Sequence, residues 1–176
     1  LKDKPRHAAV LAAVLEMGGP LGRDLGDDGA ATAGPVVARG IALVESFGSI
    51  VAQIAEVEVA PNARPRVTRV WAAIDCGRVI NPDTVAAQVE GGIVFGLSAA
   101  LFGRISFVDG KVEQENFHAY PLVTMADCPE IDVRIIESDA DPGGVGEPGT
   151  PPIAPAVANA LFAATGKRWR NLPFFA

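Results

Sequence analysis

Cysteine and histidine are scarce in this chain, two of each in 176 residues. Cys76 and Cys128 lie far apart and fit no C-x-x-C spacing, so they are expected to be ordinary buried thiols rather than a disulfide framework. His7 and His118 have no partner at ligand spacing, so no metal site built from protein ligands is expected. Cations are in deficit as well. Fifteen Lys and Arg against 21 Asp and Glu leave a formal charge of -6, which repels a phosphate backbone and argues against nucleic acid as a partner. Neither a G-x-x-x-x-G-K-S/T segment nor a G-x-G-x-x-G at a strand-to-helix junction occurs, which removes the commonest nucleotide-binding readings. No uninterrupted apolar run is long enough for a bilayer, so no transmembrane segment is expected. The chain opens at Leu1 without a charged-then-apolar leader and is expected to begin inside a longer protein.

What is present reads as a folded α+β protein. Hydrophobic residues make up 49% and charged ones 20%, enough apolar surface for one domain or two small lobes. Residues 4–17 have the periodicity of a helix, with Pro5 in its first turn and Gly18-Gly19-Pro20 as its stop. From Leu21 to Gly34 the chain is small residues, Gly and Asp without period, the texture of a connector. This divides the chain into an N-terminal helix and connector, 1–34, and a body, 35–176. β-Branched residues dominate from about Ala38 to Ala60 and from Arg66 to Ile74, with Pro61-Asn62 as the turn between antiparallel strands.

Asn81-Pro82 then opens a helix in which Val85, Val89, Ile93, Leu97 and Leu101 recur every four residues. Asp109-Gly110 marks a hairpin within 104–112, Ile131, Val133 and Ile135 another strand, and 153–165 a last helix stopped by Gly166. Helices alternating with hairpin-linked strands predict a mixed or antiparallel sheet packed with helices, not a doubly wound parallel one. The aromatic tail Trp169 to Phe175 reads as a strap on the body or on a partner.

Two segments carry candidate chemistry. Gly143-Gly144-Val145-Gly146-Glu147-Pro148-Gly149-Thr150-Pro151-Pro152 sets one carboxylate among glycines, which let backbone approach a ligand, and prolines, which stiffen the backbone beyond it. An apolar surrounding would desolvate that carboxylate and make it a better base. Taken by itself, the same spacing also suits an acid at the entry of the following helix. The second segment is Gln88-Val89-Glu90-Gly91-Gly92, inside a helix where paired glycines cost stability. Gln88, Gly91, Gly92 and Phe95 share one face, suited either to a ligand that Gln88 could bond as donor and acceptor or to close packing against another element. Asp75-Cys76-Gly77 reads as a strand exit and turn.

In order along the chain, Asp75-Cys76-Gly77-Arg78-Val79-Ile80-Asn81-Pro82, Gln88-Val89-Glu90-Gly91-Gly92, Asn116-Phe117-His118-Ala119-Tyr120-Pro121 and Gly144-Val145-Gly146-Glu147-Pro148-Gly149 resemble the end of the molybdopterin-binding large subunit of the xanthine oxidase family, nearest the isoquinoline 1-oxidoreductase beta-subunit type. The resemblance covers essentially the whole chain. It implies a C-terminal portion of the molybdopterin-binding domain, with Glu147 as the active-site base beside the molybdenum but not bonded to it. It also implies that Gln88 hydrogen-bonds the cofactor and that Gly144, Val145 and Gly146 shape the loop beside it. The chemistry so implied is hydroxylation of an N-heterocycle or aldehyde with oxygen from water, the cofactor doing the redox work.

The partners implied are the upstream remainder of the large subunit, which holds most of the molybdopterin, a small subunit with 2Fe-2S clusters, and a small-molecule substrate. Such enzymes are cytoplasmic or periplasmic, and the chain alone is expected to be inactive. The other class open at this point is a folded, partner-binding module without cofactor, a reading that the intact Glu147 loop disfavours.

Overall fold

The long β-branched stretch that opens the body becomes two strands of one sheet rather than one. In the computed structural model, which describes residues 1–23 and 34–175, β2 (Val36–Ser46) and β3 (Ser49–Val59) pair antiparallel from Val36↔Val59 to Ser46↔Ser49. Phe47 and Gly48 form the two-residue turn between them, both at positive φ (57° and 76°) as a type I′ hairpin requires. Glycine adopts that conformation freely and phenylalanine does not, which is why the turn is hard to see in the sequence.

The remaining elements are α1 (Pro5–Gly18), β1 (Gly22–Arg23), β4 (Arg66–Asp75), α2 (Pro82–Leu101), β5 (Phe107–Val108), β6 (Lys111–Val112), a 3-10 turn at Phe117–Ala119, β7 (Glu130–Ile135) and α3 (Ile153–Thr165). The main sheet has the order β1-β2-β3-β4-β7, antiparallel except for the parallel β4–β7 pair, whose connection runs through α2. The class is therefore α+β with a mixed sheet, as the pattern of elements predicts. Of the connector expected over 21–34, residues 24–33 lie outside the described residues, and Gly22–Arg23 pairs with Arg39 and Ala38.

Both faces of the sheet are covered, so its central strands lose the usual alternation of apolar and polar residues. On β3 and β4, Ile50, Ala52, Ile54, Trp71 and Ala73 pack under α1 against Val10 and Val14. The intervening Val51, Ala55, Val57, Val70, Ala72 and Ile74 pack against α2 and α3. Beyond α1, Trp71 lies under the guanidinium groups of Arg39 and Arg69, 5.1 and 5.0 Å from its ring centre. α3 approaches β2 so closely that a side chain at Gly40 would collide with the α3 backbone at Ala160 and Ala156.

α2 is long and apolar enough to cross a membrane by length and composition, but half of that stretch is buried inside this chain, as in a core helix. The aromatic tail folds back onto the body: Phe174 is buried and its N–H donates to Ala100 O at the end of α2 (2.7 Å). Cys76 is buried as expected, whereas Cys128 is only partly covered.

α1 is fastened to the sheet by an ion pair whose carboxylate is buried. Arg6 donates from Nε and Nη2 to the two carboxylate oxygens of Asp75 (2.9 and 2.7 Å), at the end of β4. Asp75 is 1% exposed and also accepts from Gly77 N–H (2.9 Å) and Ser138 Oγ (2.8 Å). The Arg6 bonds, joined by those from Gly77 and Ser138, outweigh the cost of burial and hold the Asp75 carboxyl at about 2, below its ordinary 3.8.

Two predictions arise from these features. Because the folded-state value of Asp75 is the lower one, its stabilisation is complete above about pH 4 and vanishes as pH falls toward 2, a loss of about 2 kcal/mol. Unfolding followed across that window should show this loss in the wild type and a flatter dependence in Asp75→Asn, which is already destabilised at neutral pH; parallel curves would contradict it. Phe47→Asn, relieving a positive φ at an exposed side chain, should raise stability by about 1 kcal/mol in urea titration. A loss would mean that the phenyl contacts outweigh the backbone cost.

Candidate active site

The two segments singled out in the sequence meet across one cleft. Asn81 caps α2, its Oδ1 accepting from Thr84 N–H (3.0 Å), with Pro82 in the first turn. The helix then presents Gln88, Gly91, Gly92 and Phe95 along one side of a cleft of about 440 Å³, while Phe47, Gly146, Glu147, Thr150 and Pro151 line the rest. The paired glycines serve different ends. A methyl group on Gly92 would stand 3.3 Å from Thr150 Oγ1 and 3.4 Å from Gly149, and one on Gly96 2.5 Å from Ile153 Cγ2, so these two allow close packing of the incoming loop. Among the described residues nothing lies within 4 Å of such a position on Gly91, which leaves the cleft open.

Glu147 is delivered by a segment that is laced to the sheet before it reaches the cleft. After β7, Ile136 N–H donates to Ile74 O (2.7 Å), Arg78 N–H to Ala140 O (3.0 Å) and Gly143 N–H to Cys76 O (2.8 Å). Gly77, at φ 71°, packs so tightly on the Ala140 and Asp141 carbonyls that no side chain could be accommodated. Gly144 N–H then donates to Phe47 O (2.8 Å), and Ser49 Oγ to Gly144 O (2.6 Å). Glu147-Pro148-Gly149-Thr150 closes as a β-turn through Thr150 N–H to Glu147 O (2.9 Å), with proline and glycine at its centre. Pro148 and Gly149 are buried beneath the turn, and the Glu147 side chain projects to an exposed position.

Of the five residues expected at the site, three share the cleft: Gln88, Gly146 and Glu147. Gly146 lies against the Gln88 amide, a methyl on it standing 3.7 Å from Nε2. Gly144 and Val145 lie off the cleft: Gly144 seats the Phe47 turn, and Val145 lines an adjoining groove with Cys76, Val79 and Val85. The Asn116–Pro121 segment is not brought to the cleft either; Asn116, Phe117 and Tyr120 border a separate groove with Ile105 and Gln114. Sequence reasoning missed Phe47, whose only signal is a Phe-Gly pair interrupting a strand pattern.

The chemistry available is set by this lining. Glu147 is the one ionisable side chain among the residues lining the cleft, and it shares the cleft with the Gln88 amide, which can both donate and accept. Phe47 and Phe95 are 61% and 72% exposed, apolar walls of a kind that marks a surface others cover. Among the described residues no group of three His, Cys, Asp or Glu is placed to hold a metal ion.

Residues 38–129 match the molybdopterin cofactor-binding domain family. The chain is 40% identical to the beta subunit of isoquinoline 1-oxidoreductase of Brevundimonas diminuta over 98% of its own length and 22% of that protein's. It is 38% identical to one of the subunits of nicotinate dehydrogenase of Pseudomonas putida over 62% of its length and 9% of that protein's. Among solved structures, quinoline 2-oxidoreductase from Pseudomonas putida 86 superposes with a TM-score of 0.68 at 26% identity, covering 72% of this chain and 17% of that one. The chain therefore spans about a fifth or less of the length of these proteins. With a matched domain over half its residues and a relative 40% identical over 98% of its length, the chain belongs to the molybdopterin cofactor-binding domain family of xanthine-oxidase-type oxidoreductases.

Proposed function

We propose that this chain forms part of a molybdenum hydroxylase that oxidises an N-heterocycle or an aldehyde with oxygen derived from water, and that Glu147 is its general base. The observation that carries this reading is that the lone carboxylate of Glu147 and the Gln88 amide line one cleft, together with Phe47 and Phe95. Molybdopterin, when bound, supplies the two-electron redox chemistry. Gln88 would bond its polar edge, Gly146 would let it approach the loop, and the gap at Gly91 would admit it. Glu147 accepts a proton at its carboxylate as the new carbon–oxygen bond forms, a role that needs a side chain held in one place. The Glu147–Thr150 turn supports that role, since its central Pro148 and Gly149 are buried.

A cleft of about 440 Å³ is within the usual size range of small-molecule sites, but one side of Glu147 is open in this chain. The upstream remainder of the large subunit would close that side, contribute most of the cofactor contacts and desolvate the carboxylate. Two electrons per turnover would leave through 2Fe-2S clusters of a partner small subunit. The names of the relatives, isoquinoline 1-oxidoreductase and nicotinate dehydrogenase, support the N-heterocycle class.

In the complete, molybdenum-loaded enzyme, Glu147→Gln keeps the shape and hydrogen bonding of the side chain and removes the base. Turnover should fall by about two orders of magnitude or more with molybdenum content unchanged. Near-normal turnover would overturn the assignment. Gentle purification of the tagged chain from its host should recover roughly one molybdenum per complex together with partner polypeptides, whereas the 176 residues alone should show no turnover. Recovery of the chain alone, folded and metal-free, would favour a non-catalytic module.

A further inference from the structure

In the middle of β3, Gln53 points into the sheet–α2–α3 core between Val51 and Ala55, and it is 0% exposed. Its cross-strand neighbours are both alanine, Ala42 on β2 and Ala72 on β4, so the sheet leaves room above it. Gly149 occupies that room. Gln53 Nε2 donates to Gly149 O at 2.7 Å, while on its other side Gly149 is pressed against α2, where a methyl group would stand 2.7 Å from Val89 O. Thr150 Oγ1 donates to Gly92 O (3.1 Å) next to it. Gly149 is thus a wedge of backbone between sheet and helix, two residues from Glu147 and inside the same hydrogen-bonded turn.

Among the described residues the remaining polar atom of this amide has no partner: Gln53 Oε1 is buried without a hydrogen bond. A buried acceptor left unpaired is a cost that an apolar side chain of similar shape would not incur. Removing the amide would also leave the Gly149 carbonyl unpaired unless the turn moves out to water. The two effects oppose each other, so the amide brings little net stability. What it does bring is a fixed height for Gly149 beneath the cleft.

We infer that Gln53 is a positioning residue, a core amide that pins the Gly149 carbonyl and thereby holds the Glu147 turn at working height in the cleft. The pin itself is independent of what Glu147 does; its consequence for turnover rests on Glu147 being the base. Methionine at this position keeps the length and apolar stem of glutamine and removes both polar atoms.

In the full molybdenum-loaded enzyme, Gln53→Met should leave the melting temperature nearly unchanged. It should speed amide hydrogen exchange of the 146–150 turn by about tenfold, the worth of one hydrogen bond, relative to the rest of the sheet. It should also lower kcat by about tenfold or more with KM little changed, as expected when a base is held less firmly.

Unchanged exchange at the turn overturns the inference, as does a large drop in melting temperature with exchange raised evenly across the domain, which is the mark of a merely structural residue. Faster exchange with normal turnover overturns the positioning role too. Glu147→Gln, measured in parallel, then separates the causes: if it also turns over normally the base assignment has failed, and if it is dead the turn tolerates loss of the pin. Should Gln53→Met not fold, Gln53→Asn carries the same comparison, because it keeps a buried amide but falls short of the Gly149 carbonyl.

Discussion

A single buried carboxylate holds the framework of the site together. Charge in a protein interior is costly unless several donors compensate it, and Asp75 gathers those donors from three parts of the chain. Arg6 brings α1, Gly77 brings the turn that leaves β4, and Ser138 brings the segment after β7. The same node fixes where the chain goes next. With Ser138 and Gly77 anchored, residues 140–144 are laced along the exit of β4 and the Phe47 turn, and Glu147 emerges over α2. Moving Asp75 would displace not one bond but the starting point of the loop that forms half the cleft.

The other half depends on how near backbone can come to a helix. Gly92 and Gly96 give α2 a bare strip on which Thr150 and Ile153 sit at van der Waals distance, and Gly149 fits between that strip and the sheet. One residue away on the helix, Gly91 faces nothing among the described residues, and the difference between a filled and an empty glycine position creates the cleft beside Gln88. Close approach sets the depth of the site, and open space gives it capacity. The exposed rings of Phe47 and Phe95 border that space. The fold thus provides a rigid wall with one acid and one amide, consistent with a domain that spans about a fifth or less of the proteins it resembles.

Much of this is legible in the sequence. Helix α2 follows from Asn81-Pro82 and apolar residues every four positions, α3 from its stripe and Gly166, and the β5–β6 hairpin from Asp109-Gly110, because caps, periodicity and turn chemistry act over a few residues. The shared face of Gln88, Gly91, Gly92 and Phe95 follows from helical geometry, and the Glu147 loop stands out by its glycines and prolines. The division of the long strand at Phe47-Gly48 is not legible, since phenylalanine carries no preference for positive φ and the turn is imposed by the pairing of β2 with β3.

Local composition thus determined most of the helices, strands and turns, though not the Phe47-Gly48 turn, and which two segments could hold chemistry. Only the tertiary structure decided that Gln88 and Glu147 share a cleft, that Gly144 and Val145 lie off it, and that Gln53, to the eye one residue in an apolar strand, reaches the turn beneath the acid. The physical reason is range. Propensity and periodicity are properties of neighbours in the chain, whereas close approach, ion pairing and the satisfaction of a buried carbonyl are settled between residues as far apart as Arg6 and Asp75 or Gln53 and Gly149, by the order of the strands and the packing of the helices upon them.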